Sequence, residues 1–285
     1  MKKIMIASCV RKKPEILACY LSSLASLEIR EADIHYCFID DNDDETSRFL
    51  LKQFQQDHPC VTILPGENAD AYVCDDETHY WTDRLVEKVT QYKNRFLSLS
   101  RERDCDYLFL ADADLVFHPL TLQSLMDSGK DIISEIFWTK WDPNDRMPMP
   151  NVWLIDNYST YVQGKDERLS ATHKALRSME FLHQLRSPGV YRVGGLGAST
   201  LVSKKAIQSP LNFNKIYNIS FWGEDRHFCI RAVVLGFTLY VDTHYPAYHI
   251  YRDADLSGVE DYVNRCRDMK SSNRSGGLES GAAAK

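Results

Sequence analysis

Tyr107-Leu108-Phe109-Leu110-Ala111-Asp112-Ala113-Asp114-Leu115-Val116 is the stretch on which the fold turns. Asp104 and Asp106 precede its aromatic and aliphatic run and His118-Pro119 follow it, the pattern of a short buried strand. That strand runs directly into two carboxylates one residue apart. In open α/β sheets ligands bind in the crevice outside the C-terminal strand ends, and hard oxygen donors there suit Mg²⁺ or Mn²⁺ holding a diphosphate. Asp is also common in solvated turns, so the pair alone is a weak signal. The apolar strand immediately ahead favours a metal site at Asp112 and Asp114.

Upstream, strands and helices alternate. Lys3 to Val10 reads as a first buried strand, and Pro14 opens a helix with Leu17, Leu21, Leu24 and Leu27 at helical spacing. Between them Arg11, Lys12 and Lys13 could meet a phosphate at the helix start or form a solvated loop. Ile34 to Ile39 is a second strand ending in Asp40-Asp41-Asn42-Asp43-Asp44-Glu45. Caps and dipole partners account for Asp43 to Glu45 and leave Asp40, directly on the strand end, as the ligand candidate. A third strand, Cys60 to Leu64, stops at Pro65-Gly66. An irregular acidic stretch follows to about Asp83, and then a long helix carries Leu85, Val86, Val89, Tyr92, Phe96 and Leu99 on one face. Such alternation implies right-handed crossovers and a mostly parallel sheet with helices on both faces.

Downstream, Asp131 to Phe137 is the next strand, after which the texture changes. Trp138, Trp141 and Trp153 are interleaved with Pro143, Pro148 and Pro150, too broken for a long helix. Such rings stack on sugars or pack a loop-rich layer. A helix is expected around His173 to Leu185. Gly194-Gly195-Leu196-Gly197 follows Val190 to Val193 but lacks the third glycine and the βαβ setting of a dinucleotide fingerprint, which excludes NAD. Glycines such as Gly195 let the backbone pass close to a ligand or take positive φ. Phe221-Trp222-Gly223 then leads into Glu224-Asp225 at the head of an apolar helix, where either carboxylate could face a pocket as general base. Two final short strands are expected, Phe237 to Val241 and Ala247 to Tyr251. His249, with His244 competing, could add an imidazole donor to a metal held by two carboxylates.

The whole chain bounds these readings. Its 285 residues suffice for one large α/β domain with a sizeable core. With 34 Lys+Arg against 40 Asp+Glu the net charge is -6, giving no field to draw in nucleic acid. Eight scattered cysteines without a Cys-x-x-Cys pair and without a signal peptide predict neither disulfides nor zinc, and a reducing cytoplasm. Every apolar stretch is interrupted before the roughly 20 residues a membrane span needs, which predicts no integral membrane segment.

Together these pieces resemble the nucleotide-sugar glycosyltransferases of the GT-A fold, in particular family 2-like bacterial enzymes, over about residues 3 to 252. Asp112-Ala113-Asp114 resembles the DXD motif that holds a divalent ion against the donor diphosphate. Ile39-Asp40-Asp41 resembles the second-strand acids that contact base or ribose, although Asn42-Asp43-Asp44 replaces the usual Gly-Ser. Trp222-Gly223-Glu224-Asp225 resembles the segment that supplies the base, Asp225 by the family pattern, and His249 matches a late metal ligand. Asn94 resembles a position near the nucleoside. The resemblance implies a single GT-A domain over 1–270. Residues 1–137 would form the nucleotide-sugar half and 138–255 an elaborated acceptor-side half bearing Trp138, Gly195 and Trp222; 271–285 would be a tail or linker. It also implies Mn²⁺ or Mg²⁺, a UDP-sugar donor, a saccharide, lipid-linked or protein acceptor, and transfer with inversion.

Two other classes compete. A haloacid-dehalogenase-type phosphatase also puts Asp-x-Asp after an apolar strand, with the first Asp as nucleophile, but normally at the first strand of its domain. A sugar or nucleotide binding module would keep the pocket without needing Asp225. Pyrophosphorylases rank third, because no Gly-rich, Arg-containing loop follows the first strand.

Overall fold

The apolar runs become strands of one sheet, and their side-chain alternation decides which helices cover which face. The structure is a computed structural model that describes residues 1–67 and 81–276, with side chains to Met269. Its strands are β1 (Lys2–Val10), β2 (Ala32–Asp40), β3 (Val61–Pro65), β4 (Tyr107–Leu110), β5 (Leu115–Val116), β6 (Ile132–Thr139), β7 (Met149–Pro150), β8 (Val152–Trp153), β9 (Val190–Val193), β10 (Gly195–Leu196), β11 (Thr200–Ser203) and β12 (Leu239–His249). The helices are α1 (Pro14–Ala25), α2 (Glu45–Asp57), α3 (Asp83–Glu102), α4 (Thr121–Asp127), α5 (Ala171–Gln184), α6 (Lys204–Ile207), α7 (Glu224–Val234) and α8 (Val259–Gly276). The expected acidic stretch between β3 and α3 falls largely on residues 68–80, outside the described residues.

The main sheet runs β3-β2-β1-β4-β11-β6-β12-β5. β3, β2, β1 and β4 are parallel, β11 lies antiparallel between β4 and β6, and β6 and β12 are parallel again. On β1, Met5 and Ala7 join the core under α3 with Tyr92, Phe96 and Leu97, while Ile4 and Ile6 join the core under α1 with Leu17, Tyr20 and Leu24. Period-2 alternation thus splits one strand between two helical layers. Because β1, β2 and β4 run the same way, the ends bearing Val10, Asp40 and Asp112 meet at one sheet edge.

Three expectations change. β11 was not among the expected strands; Thr200-Leu201-Val202 is a buried strand inserted between β4 and β6. The two short strands at the end are one, β12, irregular between Asp242 and Ala247. Pro246 is accommodated at that irregularity, where no ladder bond is required of it. The tail expected from 271 begins inside α8, which continues to Gly276.

Glu135 of β6 and Asp242 of β12 pair in register and both are fully buried. Asp242 accepts hydrogen bonds from Ser124 Oγ of α4 (2.6 Å) and from the His244 amide (2.9 Å). Burial, with the Asp242 carboxylate next, holds the Glu135 carboxyl well above the usual glutamate range. The unfolded chain ionises Glu135 near its ordinary value while the folded chain keeps the proton. Native stability from this group is therefore present at low pH and falls as pH rises above that ordinary value. Urea unfolding of Glu135→Gln at pH 5 and pH 8 should show the variant gaining on wild type at the higher pH. An equal difference at both values would mean that Glu135 is already ionised in the folded protein.

Candidate active site

β4 ends at Leu110 and delivers Asp112 to an exposed position and Asp114 to a buried one. Asp114 Oδ2 accepts from Lys12 Nζ at 2.5 Å and lies 3.6 Å from His249 Nε2, which the end of β12 carries across from β5. Burial alone would raise the Asp114 carboxyl; the Lys12 ammonium and the His249 ring outweigh it and hold the group far below the usual carboxylate range. His249 Nδ1 pairs with the Thr139 hydroxyl at 2.7 Å, which fixes the ring and leaves Nε2 toward Asp114. His244 instead pairs with Asp242 (2.6 Å), away from Asp114.

Asp114 Oδ1 is buried and has no hydrogen-bond partner. An orphaned carboxylate oxygen beside a histidine nitrogen is what a hard or borderline divalent ion would satisfy. Among the described residues, however, no group of three His, Cys, Asp or Glu side chains is gathered tightly enough to hold a cation by itself. The donor set suits an ion that takes one or two protein ligands and completes its shell with water and substrate phosphate oxygens.

At the end of β2 the neighbouring acids have different surroundings. Asp40, the candidate, accepts from the Asn42 backbone and side-chain amides at 3.1 and 2.8 Å, and so turns the chain. Asp44 caps α2 by accepting from the Ser47 amide. Asp41 is the buried one: Lys88 Nζ of α3 reaches its Oδ2 at 2.6 Å and the Tyr92 hydroxyl its Oδ1 at 3.0 Å. Arg11 pairs with Asp43 at 2.9 Å and Asp41 at 3.6 Å, so this cation braces the acidic loop. A Cβ at Gly66 would stand 2.6 Å from Asp41 Oδ1, which explains the glycine after β3. The Asn94 side chain accepts from the Phe213 amide and donates to Asn214 Oδ1, stapling α3 to that loop.

Across the cleft, Gly223 starts α7 with no side-chain cap, and Glu224 and Asp225 fill its first turn. Both acids meet one buried lysine: Lys93 Nζ of α3 lies 2.5 Å from Glu224 Oε1 and 2.8 Å from Asp225 Oδ1. Burial raises the Asp225 carboxyl to about 7; Lys93 pulls against that rise, while Glu224 and Asp112 add to it. Lys93 in turn is raised well above its ordinary value, because Asp225, Glu224 and Asp112 outweigh its burial. Asp112 and Asp225, from opposite halves of the chain, therefore share one electrostatic cleft.

Lys88 and Lys93 escaped sequence reading, although a signal existed. Each interrupts the apolar face of α3, Lys88 in line with Leu85 and Tyr92, Lys93 in line with Val86 and Val89. A lysine on a buried stripe needs a buried carboxylate, and here each finds one.

The aromatic candidates part company. Trp222 is 70% exposed and lines a cavity of about 700 Å³ with Trp81, Tyr217, Phe221 and Lys215 beside the head of α7. Trp138 sits under the Arg186 guanidinium, 4.4 Å from its ring centre, and lines a different cavity of about 620 Å³ against α8. At Gly195 a Cβ would stand 2.0 Å from the Trp153 indole, a close approach that requires glycine there. No helix among the described residues is long and apolar enough to cross a membrane.

Residues 1–141, which span β1 to β6, match the family model described as glycosyltransferase family 25, N-terminal domain. No match was found among curated proteins. Among solved structures the chain is similar to the crystal structure of S. aureus TarS 1–349, with 13% identity and a TM-score of 0.47. That similarity covers 86% of this chain and 60% of the solved TarS chain, so the chain spans about three fifths of that chain's length. The family match covers just under half of the chain, the part that carries the Asp112 strand end, and supports a glycosyltransferase enzyme.

Proposed function

We propose that the protein transfers a sugar from a nucleotide diphosphate donor, UDP-linked, to an acceptor hydroxyl with inversion, and that Asp225 is the base. The observation that carries this reading is the Lys93 cluster, which sets a carboxyl titrating near neutrality opposite the Asp112 strand end. Asp112, Asp114 and His249 would hold Mn²⁺ or Mg²⁺, which when bound supplies a Lewis acid for the leaving diphosphate. The combination of an Asp-x-Asp strand end, a Glu-Asp helix head and a late histidine favours the family 2-like bacterial enzymes within this architecture.

The chain's own residues do the rest. Asp225 Oδ2 accepts the proton as the acceptor O–H bond breaks. The acceptor oxygen bonds the anomeric carbon from the far face, and the bond from that carbon to the diphosphate oxygen breaks, with its electron pair leaving on the diphosphate. Lys12, held against Asp114, adds fixed positive charge at the end where the diphosphate departs. The exposed rings of Trp81, Tyr217 and Trp222 offer flat apolar surface beside α7 for a saccharide acceptor.

Nucleotide release from a panel of UDP-, GDP- and dTDP-sugars with Mn²⁺, Mg²⁺ or EDTA tests the reading. Slow, metal-dependent hydrolysis of one donor is expected, and Asp112→Ala/Asp114→Ala should lose it together with donor binding by calorimetry. Cleavage of a phosphomonoester with no donor turnover would instead favour the phosphatase and sink the proposal.

A further inference from the structure

Two carboxylates open α7, and one ammonium touches both. We propose that Lys93 is the positioning residue that makes Asp225, and not Glu224, the carboxylate that deprotonates the acceptor. The inference rests on the reading of Asp225 as base and adds what selects it.

The geometry is asymmetric. Lys93 Nζ sits closer to Glu224 than to Asp225, at 2.5 against 2.8 Å, and the Glu224 side chain is 11% exposed against 25% for Asp225. An ammonium has three protons to give, and a buried charge is retained only where it is paired. Glu224 is the deeper of the two counter-ions that keep Lys93 charged. Asp225 spends Oδ1 on the same ammonium and turns Oδ2 toward Gly197, where a Cβ would stand 3.5 Å from it. Gly197 thus leaves open the side on which the free oxygen lies.

Lys93 itself is held from a third direction, its ammonium 5.4 Å from the Phe213 ring centre, with Phe213 stacked on Phe228 of α7 at 4.4 Å. The staple from Asn94 to Phe213 ties the same loop to the next residue of α3. The lysine is therefore built into a packed junction of α3, α7 and the 213 loop. The charged and titratable groups that face Asp225 are Lys93 from α3, Glu224 and Cys229 from α7, Asp112 beyond β4, and Tyr158 from the loop after β8. Of these Lys93 alone is cationic. It opposes burial, Glu224 and Asp112 together.

The test is the pH profile of transfer in full-length Lys93→Gln and Lys93→Arg, with folding checked by circular dichroism and melting temperature. Loss of the charge in Lys93→Gln should move the acid limb of kcat up by about one pH unit or more, while the donor KM changes by less than about threefold. Lys93→Arg, which keeps the charge, should return the limb most of the way. A purely structural lysine would lower kcat evenly across pH and leave the limb in place, and that result overturns the inference. The ¹³C titration of the Asp225 carboxyl in wild type and Lys93→Gln gives the same readout without turnover; coincident curves would likewise overturn it. Asp225→Asn separates the two levels. If that variant transfers sugar at the wild-type rate, the base assignment itself fails; if it is inactive while the Lys93→Gln limb stays put, only the role of Lys93 fails.

Discussion

Asp225→Asn is expected to lower sugar transfer by about 10² to 10⁴, the span that loss of a positioned general base usually costs. Donor affinity should hardly change, because Asn keeps the shape and can still meet Lys93. The wild-type profile supplies the companion test. A carboxyl raised to about 7 is mostly protonated below neutrality and ionised above it, so transfer should climb as pH rises through about 7 and then level. In Asp225→Asn that climb should disappear. Retention of the same climb would assign it to Glu224 or to the leaving-group side of the cleft. The effect on folding has the opposite sense to the effect on rate. The folded state holds this proton to higher pH than the unfolded chain, so ionising Asp225 weakens the fold, and the Asn variant should be the more stable protein above neutrality.

The second large effect is on stability. Asp41 and Lys88 are both 5% exposed at the side chain and 2.6 Å apart. Asp41→Ala removes the carboxylate and leaves a buried ammonium and the Tyr92 hydroxyl facing each other, a loss of about 3 to 5 kcal/mol in unfolding free energy. The double variant Asp41→Leu/Lys88→Met should recover most of it, since a matched apolar pair often replaces a buried ion pair without penalty. Urea midpoints of the two variants decide the matter. A cost under about 1 kcal/mol for Asp41→Ala would mean that water reaches Lys88 in solution.

The first half of the fold was legible because its signals are local. β1 to β4 are apolar runs closed by a basic cluster, by acids or by Pro-Gly, and α1 to α3 carry helical spacing. The insertion of β11 was not legible. Its apolar core is only Leu201-Val202, too short for a pattern, and its place depends on edges offered by β4 and β6, which are distant in sequence. The site divides the same way. Asp112, Asp114, Glu224 and Asp225 stand at strand or helix ends, where a reader looks for ligands. The burial of Asp41 depends on Lys88, 47 residues away, and the Lys93 cluster on contacts over more than a hundred residues. Partners at such range are chosen by packing and leave no spacing to read.

The irregular passage in β12 does more than admit a proline. Between Asp242 and Ala247 the strand takes five steps while its neighbour β6 takes two, from Glu135 to Phe137. The surplus is odd, so it reverses which face of the strand each later residue presents. It is this reversal that brings His249 level with Thr139 and onto Asp114. Deleting one residue from 243–246 would restore even phase and slide Tyr248 or Ile250 into alignment. The length of that loop therefore works as a parity setting, and a protein shortened there would have no histidine at its cleft.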